Sequence, residues 1–390
     1  MAGAESARFE FAAPGRIVFG PGVIGTLPEE AAAYAKRALV VTGRDPQRWQ
    51  PILDRLRSGG LTVEVFHVDR EPTVNMVRRG TQLSASASAE LVIGVGGGSV
   101  MDTAKAIAAL LANGGDPLDY LEVVGAGRPL TRPAVPLILA PTTAGTGTEA
   151  TKNAVLLSEE HRLKVSLRGH GLLPRLALID PELTYGLPPT VTAWGGLDAL
   201  TQLIEPFVGR RPQPITDALC LDGMHRIARS LRRAYADGSD TTARTDLSLA
   251  ALFSGIALAN AGLGVVHGFA SVIGGMTEAH HGMVCASLLP AGMQANLTAL
   301  RARAPDHPSL PRYAELASAL TGQAQARPED GIAWVEQLSR ELGVAPLSQM
   351  GLRPQDMDLL VERTAEASST KGNPITLTHA ELRGIAQASW

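Results

Sequence analysis

Aromatic residues make up only 4% of the 390 residues, so the interior has to be built mainly from Ala, Leu, Val and Ile. Cysteine is scarcer still. Cys220 and Cys285 are the whole complement, too few for a disulfide framework and without the close spacing of a zinc or redox motif. Neither sign of charge dominates: 35 Lys plus Arg stand against 38 Asp plus Glu, a formal net charge of −3. A broad basic face is excluded, and nucleic acid is not an expected partner. The opening residues MAGAESARFE carry Glu5 and Glu10 and no apolar run, so no secretory signal is expected. One long stretch lacks charge, residues 247–266, and it reaches the length of a membrane span. Asn260, Gly255, Gly262 and Gly264 interrupt it, and no aromatic belt flanks it. It reads as a helix and turn in a large core, and the chain as a cytoplasmic enzyme with no membrane partner.

What is present divides the chain in two. At roughly 100–200 residues per domain, the length suggests two or three domains. Up to about residue 185, short β-branched runs alternate with helical stretches. Strands are expected at 16–19, 38–42, 62–68, 91–95, 137–140, 154–157 and 177–179, with amphipathic pieces such as 52–57 and 74–84 between them. That alternation predicts a parallel sheet covered on both faces. Beyond about residue 188 helical periodicity takes over. Residues 216–233 put Cys220, Met224, Ile227, Ala228 and Leu231 on one face, with Thr216 as the expected N-cap. Pro188-Pro189 marks the boundary. The expectation is an N-terminal α/β dinucleotide-binding domain, residues 1–187, and an all-α C-terminal domain, residues 188–390.

Three segments carry chemistry. The strand ending at Val95 runs into Gly96-Gly97-Gly98-Ser99 and then a helix whose start has Ser99 and Asp102 at capping-box spacing. Successive glycines let backbone N–H groups approach an anion at a helix N-terminus, the physical form of a pyrophosphate cradle. A tight strand-to-helix turn without a ligand is the other reading of the same residues. The stretch is neither a GxGxxG fingerprint nor a Walker A loop. Second, Thr142, Thr143, Thr146 and Thr148 crowd a glycine-bearing loop at a strand end, where open α/β sheets bind polar ligands; a Thr-rich surface turn has the same composition. Third, Asp198 and Gln202 share a helix face, and His267 and His281 follow. One carboxylate with two imidazoles suits Fe(II), Zn or a related divalent ion. Each residue also has an ordinary role open to it: Asp198 as a helix cap, Gln202 as a solvated side chain, His267 as a satisfied core histidine.

With these segments together the chain resembles the iron-containing (group III) alcohol dehydrogenases. The resemblance runs from Ile17-Val-Phe-Gly-Pro-Gly22 to the C-terminal helices. It is carried by Gly96-Gly-Gly-Ser-Val-Met-Asp-Thr-Ala-Lys105, Pro141-Thr-Thr-Ala-Gly-Thr146, Asp180-Pro-Glu-Leu-Thr184, Gly196-Leu-Asp-Ala-Leu-Thr201, His267-Gly268 and His281-Gly282. It implies the dehydroquinate synthase-like two-domain architecture, with the active site in the interdomain cleft. It implies cofactor contacts from Gly43, Gly97, Gly98, Ser99, Asp102, Thr142, Thr143, Thr146, Asn153, Lys164 and Leu183. It implies metal ligation by Asp198, Gln202, His267 and His281, with Asp198, His267 and His281 central to catalysis. The implied reaction is NAD(P)-dependent hydride transfer between an alcohol and an aldehyde or ketone, the oxygen polarised by Fe(II) or Zn, in a homodimer. The related alternatives are a metal-independent reductase of the maleylacetate reductase type and a dehydroquinate-synthase-like lyase.

Three positions depart from the family pattern. Gln202 stands where a ligand His is usual, and Ser271 where a further active-site His is usual. His280, or cofactor hydroxyls with water, are left as proton carriers. Gly43, followed by Arg44, stands where an Asp is frequent, which tilts the expected cofactor toward NADPH over NADH. Substrate selectivity is expected from side chains around Trp194, Phe253 and Phe269.

Overall fold

The computed structural model describes residues 8–390; the reading of the first seven residues for a secretory signal lies outside them. The chain forms two compact units. One comprises Ala13–Val191 with Asp237–Ser248; the other comprises Thr192–Ala236 and Leu249–Trp390, joined by residues 8–12.

The first unit is built on eight strands: β1 (Ile17–Phe19), β2 (Arg37–Thr42), β3 (Thr62–His67), β4 (Leu91–Gly96), β5 (Leu137–Pro141), β6 (Asn153–Ser158), β7 (Leu163–Arg168) and β8 (Leu176–Ile179). Six of them form one sheet in the order β1-β8-β5-β4-β2-β3, parallel throughout. Five helices accompany them: α1 (Leu27–Ala32), α2 (Pro46–Ser58), α3 (Val74–Ser86), α4 (Gly98–Asn113) and the short α5 (Pro117–Tyr120). Alternate strand residues serve opposite faces. Leu39, Val41, Val92 and Leu139 pack with α3 and α4, while Val40, Ile93, Ile138 and Leu178 pack with Trp49, Leu53 and Leu56 of α2. Burial on both faces explains why these strands read as near-continuous β-branched and leucine runs.

Two expectations fail locally. β7 was not foreseen, and it pairs antiparallel with β6 in a separate two-stranded ribbon, with Leu157 opposite Lys164. The capping box of Ser99 and Asp102 does not form. β4 extends to Gly96, Gly97 becomes the N-cap of α4, and no side chain caps the helix.

The second unit is helical, with no strand among its described residues: α6 (Pro189–Val208), α7 (Pro214–Ala236), α8 (Thr241–Ala261), α9 (Val265–Met276), α10 (His281–Arg303), α11 (Ser309–Thr321), α12 (Pro328–Glu341), α13 (Met357–Glu366) and α14 (His379–Ala388). Two of these reach across the division: α6 begins in the α/β unit, as does α8, whose residues to Ser248 belong there. Thr216 does not cap α7. The helix starts two residues earlier at Pro214, and the Thr216 hydroxyl donates to Gln213 O within the first turn. The charge-free stretch is bent by 99° between α8 and α9 rather than forming one straight span. Among the described residues α10 alone is, as a single helix, long and apolar enough to cross a bilayer, and most of it is buried.

Candidate active site

The carboxyl edge of the sheet gathers the first group of candidates. Thr42 of β2 lies opposite Val95, and Gly96 of β4 opposite Pro141 of β5. Gly43, Gly97 and Thr142 therefore leave the sheet side by side. The chain turns outward from β2 to β3 on one side and from β4 to β5 on the other, which makes this edge the switch point where open α/β sheets bind ligands. Leu183 follows β8 on the same edge, in the turn Pro181–Thr184, and packs with the α2 face of the core.

Adjacent glycines in this turn meet different demands. A Cβ on Gly96 would lie 2.5 Å from Val100, so only glycine lets α4 close onto its strand. A Cβ on Gly97 would meet nothing nearer than Thr143 at 3.5 Å, and its φ of −76° suits any residue. Gly97 is thus not a strained position; it leaves open space beside the uncapped N-terminus of α4. Thr146 closes the other side, its side chain 3.0 Å from where a Gly98 Cβ would stand. Ser99 is half-buried in the first turn of α4 and its carbonyl accepts from the Thr103 hydroxyl.

A buried charge cluster supports this loop from below. Lys105 is fully buried, and its Nζ donates to Thr151 O and Oγ1, each at 2.7 Å, and to Asn153 O at 3.2 Å. Burial lowers the Lys105 ammonium to about 8 and raises Glu149 to about 7, the opposite charges only partly compensating. Asp102 is pushed upward for the same reason against the pull of Lys105. The anchored Asn153 keeps its side-chain Oδ1 buried without a hydrogen-bond partner. Lys164 is engaged with Glu71 at 3.0 Å. At the end of β2, Gly43 has open space where a Cβ would be, and Arg44 Nε donates to Asp69 O.

The second group of candidates converges in the helical unit. Along α6, Asp198, Gln202 and Glu205 recur at helical spacing on an otherwise apolar, buried helix. Glu205 does not face solvent. Its carboxylate accepts from the backbone N–H groups of Gly264 and Val266, at 2.9 and 2.7 Å, and so caps the N-terminus of α9. It also accepts from His267 Nδ1 at 2.7 Å. That bond favours the proton on Nδ1 and leaves Nε2 facing Asp198. α10 starts against the backbone of α6: a Cβ on Gly282 would lie 2.4 Å from Trp194 O. This close approach brings His281 to its place.

His267 Nε2 lies 3.4 Å and His281 Nε2 3.7 Å from Asp198 Oδ1. Asp198 Oδ1, Gln202 Oε1 and His267 Nε2 are all buried and make no hydrogen bond. Burial opposes ionisation of Asp198, but the two imidazoles outweigh it and hold the carboxyl at about 2. Burial likewise works against a charged His267, while Cys285, Asp198 and Glu205 raise it well above its ordinary value. Buried donors left unpaired are costly unless something is shared among them. A divalent cation would satisfy such atoms, and the ligand atoms of Asp198, His267 and His281 lie close enough together to share one, so the donor set fits one. The cluster includes a residue not foreseen from the sequence. The ligand atoms of Asp198, His267, His281 and Cys285 all lie within 4.8 Å of one another.

Other expected residues fall differently. Ser271 Oγ donates to Gly268 O, within its own helix. His280 stacks on Trp194 with ring centroids 4.8 Å apart. Phe269 is fully buried in the core, and Phe253 lies under the Arg226 guanidinium.

Comparison with known proteins agrees with both halves. Residues 14–181 match the iron-containing alcohol dehydrogenase family, and residues 192–390 match the C-terminal domain of the Fe-containing alcohol dehydrogenase family. Alcohol dehydrogenase 4 of Saccharomyces cerevisiae is 35% identical over 95% of this chain and 96% of its own. Choline dehydrogenase of Bacillus subtilis is 33% identical over 96% of this chain and 93% of its own. The crystal structure of a 1,3-propanediol oxidoreductase superposes with a TM-score of 0.90 at 30% identity, covering 98% of this chain and all of that one. Matches that run through both units at this level leave one assignment: the chain belongs to the iron-containing alcohol dehydrogenases, oxidoreductases of alcohols and aldehydes that use a nicotinamide cofactor and a divalent metal.

Proposed function

We propose that Gly97, Gly98, Ser99, Thr142, Thr143, Thr146 and Asn153 bind the nicotinamide cofactor, with Gly43, Asp102, Lys164 and Leu183 around it. Asp198, Gln202, His267 and His281 then hold the catalytic metal. The uncapped α4 N-terminus, with Gly97 bare beside it, receives the pyrophosphate. Thr143 and Thr146 supply hydroxyls around the same turn, and the orphaned Asn153 Oδ1 is an acceptor for a cofactor hydroxyl or amide. Lys105 holds Asn153 in place from beneath. A bound divalent metal acts as a Lewis acid on the alcohol or carbonyl oxygen. Glu205 fixes the tautomer of His267 so that its Nε2 is a donor rather than an acid. Ser271, its proton engaged by Gly268 O, does not replace the relay histidine usual in the family.

The buried, unpaired Asp198 Oδ1 and His267 Nε2, clustered with His281, carry the metal reading and argue against a metal-independent reductase. The test is steady-state NAD(P)H oxidation with a panel of aldehydes and ketones, with and without chelator. Loss of turnover in chelator and its return with metal are expected. Full turnover in chelator would overturn the metal assignment in favour of the maleylacetate reductase type. The finer reading is of a cytoplasmic homodimer with the domain division near residues 187–188. In support of the dimer, β1 is an edge strand of the sheet. Light scattering on the purified chain checks it.

A further inference from the structure

Gln202 leaves the metal set with one neutral amide oxygen, a weaker donor for Fe(II) or Zn than the imidazole usual there. A further candidate donor sits one helical turn beyond His281. Cys285 is fully buried, and its Sγ lies 3.7 Å from His281 Nε2. Four residues apart on α10, the two side chains share a face. The separations among the donors are informative. Donors about 2.0–2.3 Å from a common ion at tetrahedral angles stand about 3.3–3.8 Å from one another. The recorded pairs are 3.4 Å for His267–Asp198, 3.7 Å for His281–Asp198 and 3.7 Å for Cys285–His281. The ligand atoms of Asp198, His267, His281 and Cys285 all lie within 4.8 Å of one another, and two of them, Asp198 Oδ1 and His267 Nε2, are buried without a hydrogen-bond partner.

We propose that Cys285 is a metal ligand in this chain, supplying through sulfur the strong donor that Gln202 does not. The inference rests on the metal reading of the site and deepens it. On binding, the S–H bond breaks as the S–metal bond forms, and the proton leaves to solvent. A carboxylate, two imidazoles and a thiolate form a softer set than the family's carboxylate and three imidazoles. Zn(II) and Co(II) are therefore retained in preference to Fe(II).

Cobalt substitution tests this directly. Metal-stripped protein loaded with Co(II) is expected to show the intense near-ultraviolet charge-transfer absorption of a thiolate–cobalt bond. Cys285→Ser and Cys285→Ala should lose that absorption and release Co(II) and Zn(II) to a competing chelator at least about tenfold more readily. Cys220→Ser, which alters the other cysteine, should leave it unchanged; circular dichroism checks that each variant is folded. Stoichiometric Co(II) without the sulfur band in the parent chain would overturn Cys285 ligation and leave the metal mechanism standing. Failure to bind Co(II) or Zn(II) at all would overturn both. The parent spectrum alone decides the point if the variants do not fold.

Discussion

Glu205 and His267 form a buried carboxylate–imidazole pair, Oε2 to Nδ1 at 2.7 Å, and the same carboxylate caps the first turn of α9. One residue therefore sets both the position of the helix and the tautomer of the histidine it presents. Glu205→Gln keeps an oxygen for one N–H but loses the charge and one acceptor. We expect metal affinity to fall about 10–100-fold, measured by competition with a chromophoric chelator. Unchanged affinity would mean that Glu205 serves the helix end alone.

Gly97 makes a separable prediction about the cofactor. Its φ and the 3.5 Å clearance to Thr143 mean that a side chain can be added without breaking the fold. Gly97→Val fills the space beside the α4 N-terminus. NAD(P)H binding should weaken by at least about 100-fold, since both pyrophosphate hydrogen bonds and close approach are lost, while Tm changes little. Fluorescence titration of bound NADPH reads the first, and a thermal melt the second. Retained affinity would move the pyrophosphate elsewhere.

Cofactor choice turns on the end of β2. Gly43 offers no charge, and nothing lies within 4 Å of a Cβ built there, so Asp fits without displacing a neighbour. We expect NADPH to be used at least as well as NADH, and Gly43→Asp to shift the ratio of kcat/KM values toward NADH by about tenfold or more, through repulsion of a 2′-phosphate. An enzyme strict for NADH whose preference ignores the substitution would refute it.

Glu149 predicts a pH effect on stability. It is almost fully buried and raised to about 7, chiefly by desolvation. The folded chain holds this proton when the unfolded chain has released it. The stabilisation is complete below the unfolded value near 4.3 and is lost as pH rises through about 7. Between pH 5 and 8 this group alone removes on the order of 2–3 kcal/mol. Glu149→Gln should flatten the slope of denaturation free energy against pH in that window. Asp102, shifted in the same direction, keeps part of it. Identical slopes for parent and variant would exclude the assignment.

What could be read beforehand followed burial. Strands packed on both faces show as apolar runs, and those of the main sheet lie nearly where the sequence predicts them. β7 is not legible in the sequence because Val165 is its only β-branched residue and its flanks are charged. The Ser99–Asp102 capping box does not form because α4 already begins at Gly98, which places Ser99 inside the first turn and leaves Gly97 as the cap. In the helical unit the pair Asp198 and Gln202 was visible from spacing. Glu205 continues that stripe three residues on, a signal that was present in the sequence. Cys285 was not legible, since its distance from His281 has meaning only once α10 is known to begin at His281.

Val123 records a local conflict with no such explanation in the core. It follows the short helix α5, is 81% exposed and has φ of 67°. Val124 N–H donates to Glu122 O at 2.7 Å, closing a tight turn with Val123 at its apex. A β-branched residue is strongly disfavoured there, because its Cβ substituents crowd the backbone. Its side chain buries little in return. Val123→Gly relieves the strain, while the greater freedom of glycine in the unfolded chain offsets about 0.4–1 kcal/mol of it. A net gain of about 1 kcal/mol is expected, raising the Tm of the α/β unit by about 2–4 °C. Val123→Ala keeps a Cβ and should gain less. Two positions on, Gly125 gives the opposite sign, for a Cβ there would lie 2.2 Å from Leu118 O. Gly125→Ala should therefore destabilise. Differential scanning calorimetry of the three variants fixes the order Val123→Gly above Val123→Ala above parent above Gly125→Ala. A Val123→Gly variant that melts below the parent would show that the valine side chain contributes a contact worth more than the strain it imposes.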